Sequence, residues 1–241
     1  MEILEKKENK IVLLSEIDES LANAIRRYLN HIPVPAISEV EISKNDSPLY
    51  DETIAHRIGL IPIKMEKAIS EKKAHKMKLD VSKEGIVYSK ELSGDLDVVY
   101  EKIPITTLNK NQELKMTATL ILGKGNEHAK FSPGLMFYRN IPTIKIDKDC
   151  SKSVMELCPQ GILKSDDGKI VISDASKCDM CEACTEFCKK LGKDSISITP
   201  TNELIITLES FGQLDVRDIF RKSIEELKKD LAHVSKQISK S

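Results

Sequence analysis

What this chain has little of narrows its function before any motif is read. Aromatic residues make up only 4% of its 241 residues, and no block of lysine and arginine is interleaved with them. Direct nucleic-acid binding draws on a basic footprint and stacking platforms. Contact with nucleic acid is therefore expected through partners, with no sequence-specific DNA contact of its own. Neither sign of charge is in excess: 37 basic and 38 acidic side chains leave −1. No apolar run is long enough to span a membrane, and Met1 to Lys7 lacks the positive–apolar–small layout of a secretory signal. The expected compartment is the cytoplasm. Phosphoryl transfer needs clustered aspartates to hold magnesium, and none is visible. Asp166-Asp167-Gly168 reads instead as a hairpin turn between Ile162-Leu163 and Ile170-Val171-Ile172. No catalytic residue is expected.

Against these absences stand six cysteines, four of them in the run Cys178-x2-Cys181-x2-Cys184-x3-Cys188. Three cysteines spaced by three residues wrap one side of a compact turn, so their sulfurs can converge on one iron–sulfur cluster. In ferredoxin-type binding the fourth cysteine of such a run ligates another cluster, and a remote Cys-Pro completes the first. Cys158-Pro159 supplies that partner, so the expected ligands are Cys158, Cys178, Cys181 and Cys184. Zinc sites usually present two paired motifs with a spacer, and intracellular thiols stay reduced; both fit the run less well. A second triple run would place cysteines where Lys148, Ser151 and Val154 stand. Cys150 and Cys188 are left over, either as free thiols or as an unusual disulfide. The cluster is expected to be 4Fe-4S, or 3Fe-4S with one cysteine unused.

Residues Ile3-Leu4 and Ile11 to Leu14 read as a hairpin. A helix follows through Leu21 to Leu29, with Leu21, Ile25, Tyr28, Leu29 and Ile32 at helical spacing. It must end before Pro33, and Ala36 to Ile42 resumes as an alternating strand. A second short helix covers Leu49 to Ile58, ended by Gly59. In it His56 reads as a packed core residue. Lys64 to Asp80 is lysine-rich and reads as a solvated helix or loop. Short β-rich runs continue from Val81 to Lys145, the cysteine module interrupts them, and a strand returns at Glu203 to Glu209. Near the C-terminus Phe220, Ile224, Leu227, Leu231, Val234 and Ile238 repeat with gaps of 4, 3, 4, 3 and 4. That is a narrow a/d seam on one helix. A helix of roughly twenty-five residues, about 37 Å long, overhangs a small domain, so part of the seam should meet a partner chain.

Several stretches resemble the RNA polymerase α-type assembly subunits, the family of the bacterial α N-terminal domain and of the third-largest subunit of eukaryotic RNA polymerase II. They are Asn23-Ala24-Ile25-Arg26-Arg27, Pro33 to Ile37, Ser47-Pro48-Leu49-Tyr50-Asp51-Glu52 and Ala55-His56-Arg57-Ile58-Gly59 through Ile63. Gly123 to Pro133 and Ser210-Phe211-Gly212 are similar to family segments too, and the inserted cysteine module points to the archaeal branch. The resemblance implies an α+β fold. A discontinuous dimerisation domain (1–42 and 203–241) would carry an inserted β-rich domain (43–145) and a ferredoxin-like iron–sulfur module (146–202). It implies a non-catalytic assembly platform that heterodimerises with the smaller α-like subunit L through Leu21, Ile25, Tyr28 and the terminal seam. Arg26 and Arg27 would face the second-largest catalytic subunit, with the small assembly subunits N and P as further partners. The alternative from another class is a ferredoxin-like electron carrier with an accessory domain.

Overall fold

The computed structural model describes residues 1–66, 75–147, 150–166 and 169–239. In chain order the elements are β1 (Glu2–Lys6), β2 (Lys10–Ser15), α1 (Glu19–Tyr28), β3 (Val34–Asn45), α2 (Asp51–Gly59), β4 (His75–Val81), β5 (Gly85–Tyr88), β6 (Ser93–Gly94), β7 (Pro104–Leu108) and β8 (Leu114–Gly123). They continue with β9 (Gly134–Ile146), α3 (Val154–Leu157), β10 (Leu163–Asp166), β11 (Lys169–Ile172), α4 (Ala183–Lys190), β12 (Ile196–Ser210) and α5 (Val216–Ile238). The fold is mixed α and β, as expected. The chain divides into two compact units. One comprises Met1–Leu4, Val12–Glu19 and Tyr138–Ile206; the other comprises Glu5–Ile11, Ser20–Phe137 and Thr207–Ser241.

The N-terminal hairpin forms as read, with the Lys7 amide donating to the Lys10 carbonyl at 2.8 Å. Its strands belong to a sheet of order β1-β2-β12-β9. A second four-stranded sheet, ordered β3-β8-β4-β6, organises the larger unit. Its central strand β8 shows why the pattern folds this way. Leu114, Met116, Ala118 and Leu120 alternate inward, because successive side chains on a strand point to opposite faces. Met77 and Leu79 of β4 do the same beside them. Helix α2 covers this face with Ile54 and Ile58, one turn apart and fully buried. Acidic Asp51 and Glu52 open the helix, where its dipole favours negative charge.

Three expectations are corrected here. Strand β3 buries Val34, Pro35, Ala36 and Ile37 in succession, and the expected alternation holds only from Glu39 to Ile42. Register shifts between Ile37 and Glu39 and between Ile42 and Lys44 interrupt the period of two. His56 is exposed, because the buried face of α2 is carried by Ile54 and Ile58 alone. The Lys64 to Asp80 stretch contains β4 from His75 onward; its residues 67–74 lie outside the described residues. So do Asp167 and Gly168, where the hairpin turn was expected. The flanking strands β10 and β11 pair antiparallel, with Asp166 opposite Lys169.

Gly212 shows how backbone dictates residue type. It has φ +95°, and a Cβ there would be driven into Val99 Cγ1. Gly212→Ala is expected to cost about 1–3 kcal/mol from the left-handed conformation and the displaced Val99, read as a lower thermal midpoint.

Candidate metal centre and assembly face

The smaller unit brings the cysteines together. After α3 the chain turns at Cys158-Pro159-Gln160-Gly161, with the Gly161 amide donating to the Cys158 carbonyl at 3.0 Å. Gly161 has φ +59°, the left-handed region that glycine enters most easily. Asp174 caps the short 3-10 turn at Ala175–Lys177 by accepting from the Ser176 amide, and Cys178 follows directly. The next loop carries two non-glycine residues with positive φ, Met180 at 52° and Glu182 at 60°, one on each side of Cys181. Such residues are costly unless function or packing demands them. Alternating right- and left-handed residues curl the backbone into a nest whose N–H groups face an anionic guest. Helix α4 then places Cys184 and Cys188 one turn apart, both buried.

Cys158, Cys178, Cys181 and Cys184 all line one pocket, closed otherwise by Ile144, Ile162, Leu163 and Ile198 among others. It contains about 400 Å³ of space, solvent at its mouth included. Among the described residues, no three His, Cys, Asp or Glu side chains converge closely enough to grip a single metal ion. The donor set is all thiol and shares one pocket with apolar walls. These features fit a polynuclear cluster. Burial pushes the Cys184 thiol up, while hydrogen bonds from the Thr185 and Cys184 amides pull it the other way.

Sequence reasoning missed two supports of this pocket. Gln160 Nε2 donates to Asp179 Oδ2 at 2.6 Å, tying the Cys-Pro turn to the loop of the triple run. Arg139 Nη1 reaches the Cys178 carbonyl at 3.4 Å. Gln160 and Asp179 stand beside the cysteines but at no ligand spacing, Arg139 lies far from them in sequence, and no periodicity marks any of the three.

The two remaining cysteines meet. Cys150 Sγ and Cys188 Sγ are 3.9 Å apart, a contact between thiols rather than a bond. Burial, then the hydrogen bond with Cys188, pushes the Cys150 thiol up to about 11. An unfolded thiol ionises at about 8.5. Between these values the unfolded chain binds fewer protons than the folded one, so stability falls as pH rises through that window and is unaffected by this group below it. Alkylation of Cys150 by iodoacetamide is therefore expected to stay slow until pH approaches 11. A rate typical of a free thiol at mildly alkaline pH would contradict the burial.

In the larger unit, α1 and α5 carry the residues expected to meet a partner. Ile25 is only 4% exposed and is buried like Ala22, Leu29 and Ile32, so little of it is left for a partner to touch. Leu21, one position from that face, is exposed instead. Tyr28 is half-buried, donates to Asp230 Oδ2 at 3.0 Å and stacks on His31. Arg26 reaches Asn23 Oδ1 at 2.9 Å rather than a carboxylate, and Arg27 is exposed.

Helix α5 spans 23 residues, about 34 Å. Asp215 caps it by accepting from the Arg217 amide at 2.8 Å. The stripe that α5 buries is Val216, Ile219 and Ser223, one position away from the expected seam. Phe220, Ile224 and Leu227 are half-buried beside it. Leu231, Val234 and Ile238 are 61%, 49% and 71% exposed. The seam thus divides into a half supported by its own unit and a half left bare. Arg221 pairs with Asp218 and Lys229 with Glu226 on the solvated face. No helix among the described residues is long and apolar enough to cross a membrane.

The comparisons with known proteins match this arrangement. Residues 40–147, from within β3 through α2 and β8 to the end of β9, match the RNA polymerase Rpb3/RpoA insert domain, so this region is of the polymerase α type. The DNA-directed RNA polymerase subunit Rpo3 of Archaeoglobus fulgidus is 33% identical over 259 residues, covering 99% of this chain and 97% of the relative. The Rpo3 subunit of Pyrococcus furiosus is 34% identical over 235 residues (91% and 89%), and that of Thermococcus kodakarensis 31% over 233 residues (90% and 89%). The chain belongs to the family of the archaeal RNA polymerase subunit Rpo3.

Proposed function

We propose that this chain is a non-catalytic assembly subunit of the archaeal DNA-directed RNA polymerase, acting in the cytoplasm, and that it heterodimerises with the α-like subunit L. The observation that carries this reading is the divided seam of α5. Leu231, Val234 and Ile238 continue a coiled-coil repeat whose first half is already supported, so their apolar area waits for another helix. Residues 1–42 and 203–241 would form the dimerisation domain around that seam. Arg26 and Arg27, exposed and without a carboxylate partner among the described residues, suit a contact with the second-largest catalytic subunit. Subunits N and P complete the proposed partners. Co-expression with the α-like subunit tests the pairing: a stable one-to-one complex on size exclusion is expected, and two separately eluting chains would refute it.

We further propose that Cys158, Cys178, Cys181 and Cys184 hold one iron–sulfur cluster, as 4Fe-4S or as 3Fe-4S with one cysteine unused, in the ferredoxin-like module of residues 146–202. When bound, the cluster would supply covalent cross-links between separate segments of a unit with little core of its own. The chain's part is to present four thiols, curl the 178–184 backbone through Met180 and Glu182, and exclude water with Ile144, Ile162 and Ile198. A structural role is favoured, because two of the seven buried residues described in this core, Cys178 and Cys184, are proposed ligands. Cys150 and Cys188 are read as thiols outside the ligand set. Iron and sulfide analysis of anaerobically purified protein tests the cluster; zinc in place of iron would overturn it.

A further inference from the structure

A second concavity lies on the larger unit and shares no lining residue with the cysteine pocket. It holds about 730 Å³, solvent at its mouth included, and its walls come from the segment after α2, the segment at Tyr100, the 129–132 turn and the segment before α5. Its rim is apolar and exposed at Leu60, Tyr100 and Phe211, which the fold alone does not require.

Two polar groups in its lining have bonding capacity to spare. Gln213 is only 5% exposed. Its Nε2 donates to the Ser132 carbonyl at 3.3 Å, which sets the amide's orientation. Its Oε1 is then buried with no donor among the described residues, a costly state unless a guest supplies one. Lys130 donates to the Ile37 carbonyl at 3.0 Å and lies 5.1 Å from the Phe131 ring centre. It makes no ion pair among the described residues, so its remaining ammonium protons can meet another oxygen.

We infer that this concavity docks an extended segment of a partner polypeptide within the polymerase, an inference that rests on the assembly reading. An extended peptide offers what the walls lack: a backbone N–H for Gln213, a backbone or side-chain carboxyl oxygen for Lys130, and an apolar side chain for the Leu60–Tyr100–Phe211 rim. A nucleic-acid strand fits poorly, because a single cation gives no phosphate-tracking groove.

The test uses the whole complex, purified through a chain carrying photoreactive benzoylphenylalanine at position 100. Irradiation is expected to link it to one defined segment of one stoichiometric partner. Lys130→Met should lower that yield about tenfold, the effect of losing one charge-assisted hydrogen bond, while Lys130→Arg should keep it. Leu60→Ser, at an exposed rim position, should also lower it, with an unchanged thermal midpoint showing that folding is intact. Scattered links, links to nucleic acid or to this chain alone, or yields unaffected by both Lys130→Met and Leu60→Ser would overturn the inference. The composition of the complex before irradiation separates the two readings. Missing large subunits would remove both, whereas an intact complex without a polypeptide link at position 100 would remove only this one.

Discussion

Replacing Leu231 and Val234 with aspartate should abolish pairing with the α-like subunit while leaving this chain folded. Both side chains are exposed in the isolated chain, and surface substitutions of that kind change stability by about 0.5 kcal/mol or less. In the heterodimer each carboxylate would be forced into an apolar helix interface without a partner, at a cost of several kcal/mol. Affinity should fall by about a hundredfold or more. The control lies about three turns earlier on the same helix. Ile219→Asp would disrupt the chain's own core, since Ile219 is fully buried, and should lower the thermal midpoint even without a partner. Equal partner affinity in the Leu231/Val234 variant would show that the bare half of α5 is not the interface.

The second large effect concerns the cysteine module. Cys178→Ser together with Cys184→Ser removes two of the four proposed ligands and two of its buried side chains. The expected result is loss of iron, loss of the visible absorbance of the cluster, and local opening of residues 146–200. Proteolysis within that range should quicken about tenfold or more, because a locally unfolded unit is cut in proportion to its open population. Assembly should weaken as well. Ordinary protease resistance and normal partner binding in the double variant would contradict a structural role. A redox-sensing role instead requires partner affinity to change with oxidant in the unaltered chain.

Much of this was legible in the sequence where a strong period or a fixed spacing was present. The cysteine spacing named four residues that do line one pocket, and the terminal heptad named a helix whose end is bare. The failures have physical causes. The inward stripe of α5 contains Ser223, which breaks an apolar pattern; its hydroxyl donates to the Phe220 carbonyl at 2.7 Å, so its burial needs no apolar side chain. Ile25 was grouped with Leu21 because helical spacing cannot tell which edge of a broad apolar face turns outward. In β3, bulges shift the register, and an alternation rule has no means of anticipating an extra residue. The Gln213 concavity was not legible as a site: its walls come from four segments distant in sequence, and although three of them lie in or beside stretches with a family resemblance, nothing in their spacing says that they meet.

The central claim is that this chain works as part of the polymerase rather than alone. Anaerobic affinity purification of the tagged chain from its native cells, with every co-purifying protein identified by mass, tests it most directly. The account predicts two very large subunits and a small α-like chain at near-equal stoichiometry. Recovery of the chain alone, or with an oxidoreductase, would contradict it and would make the cysteine module the function.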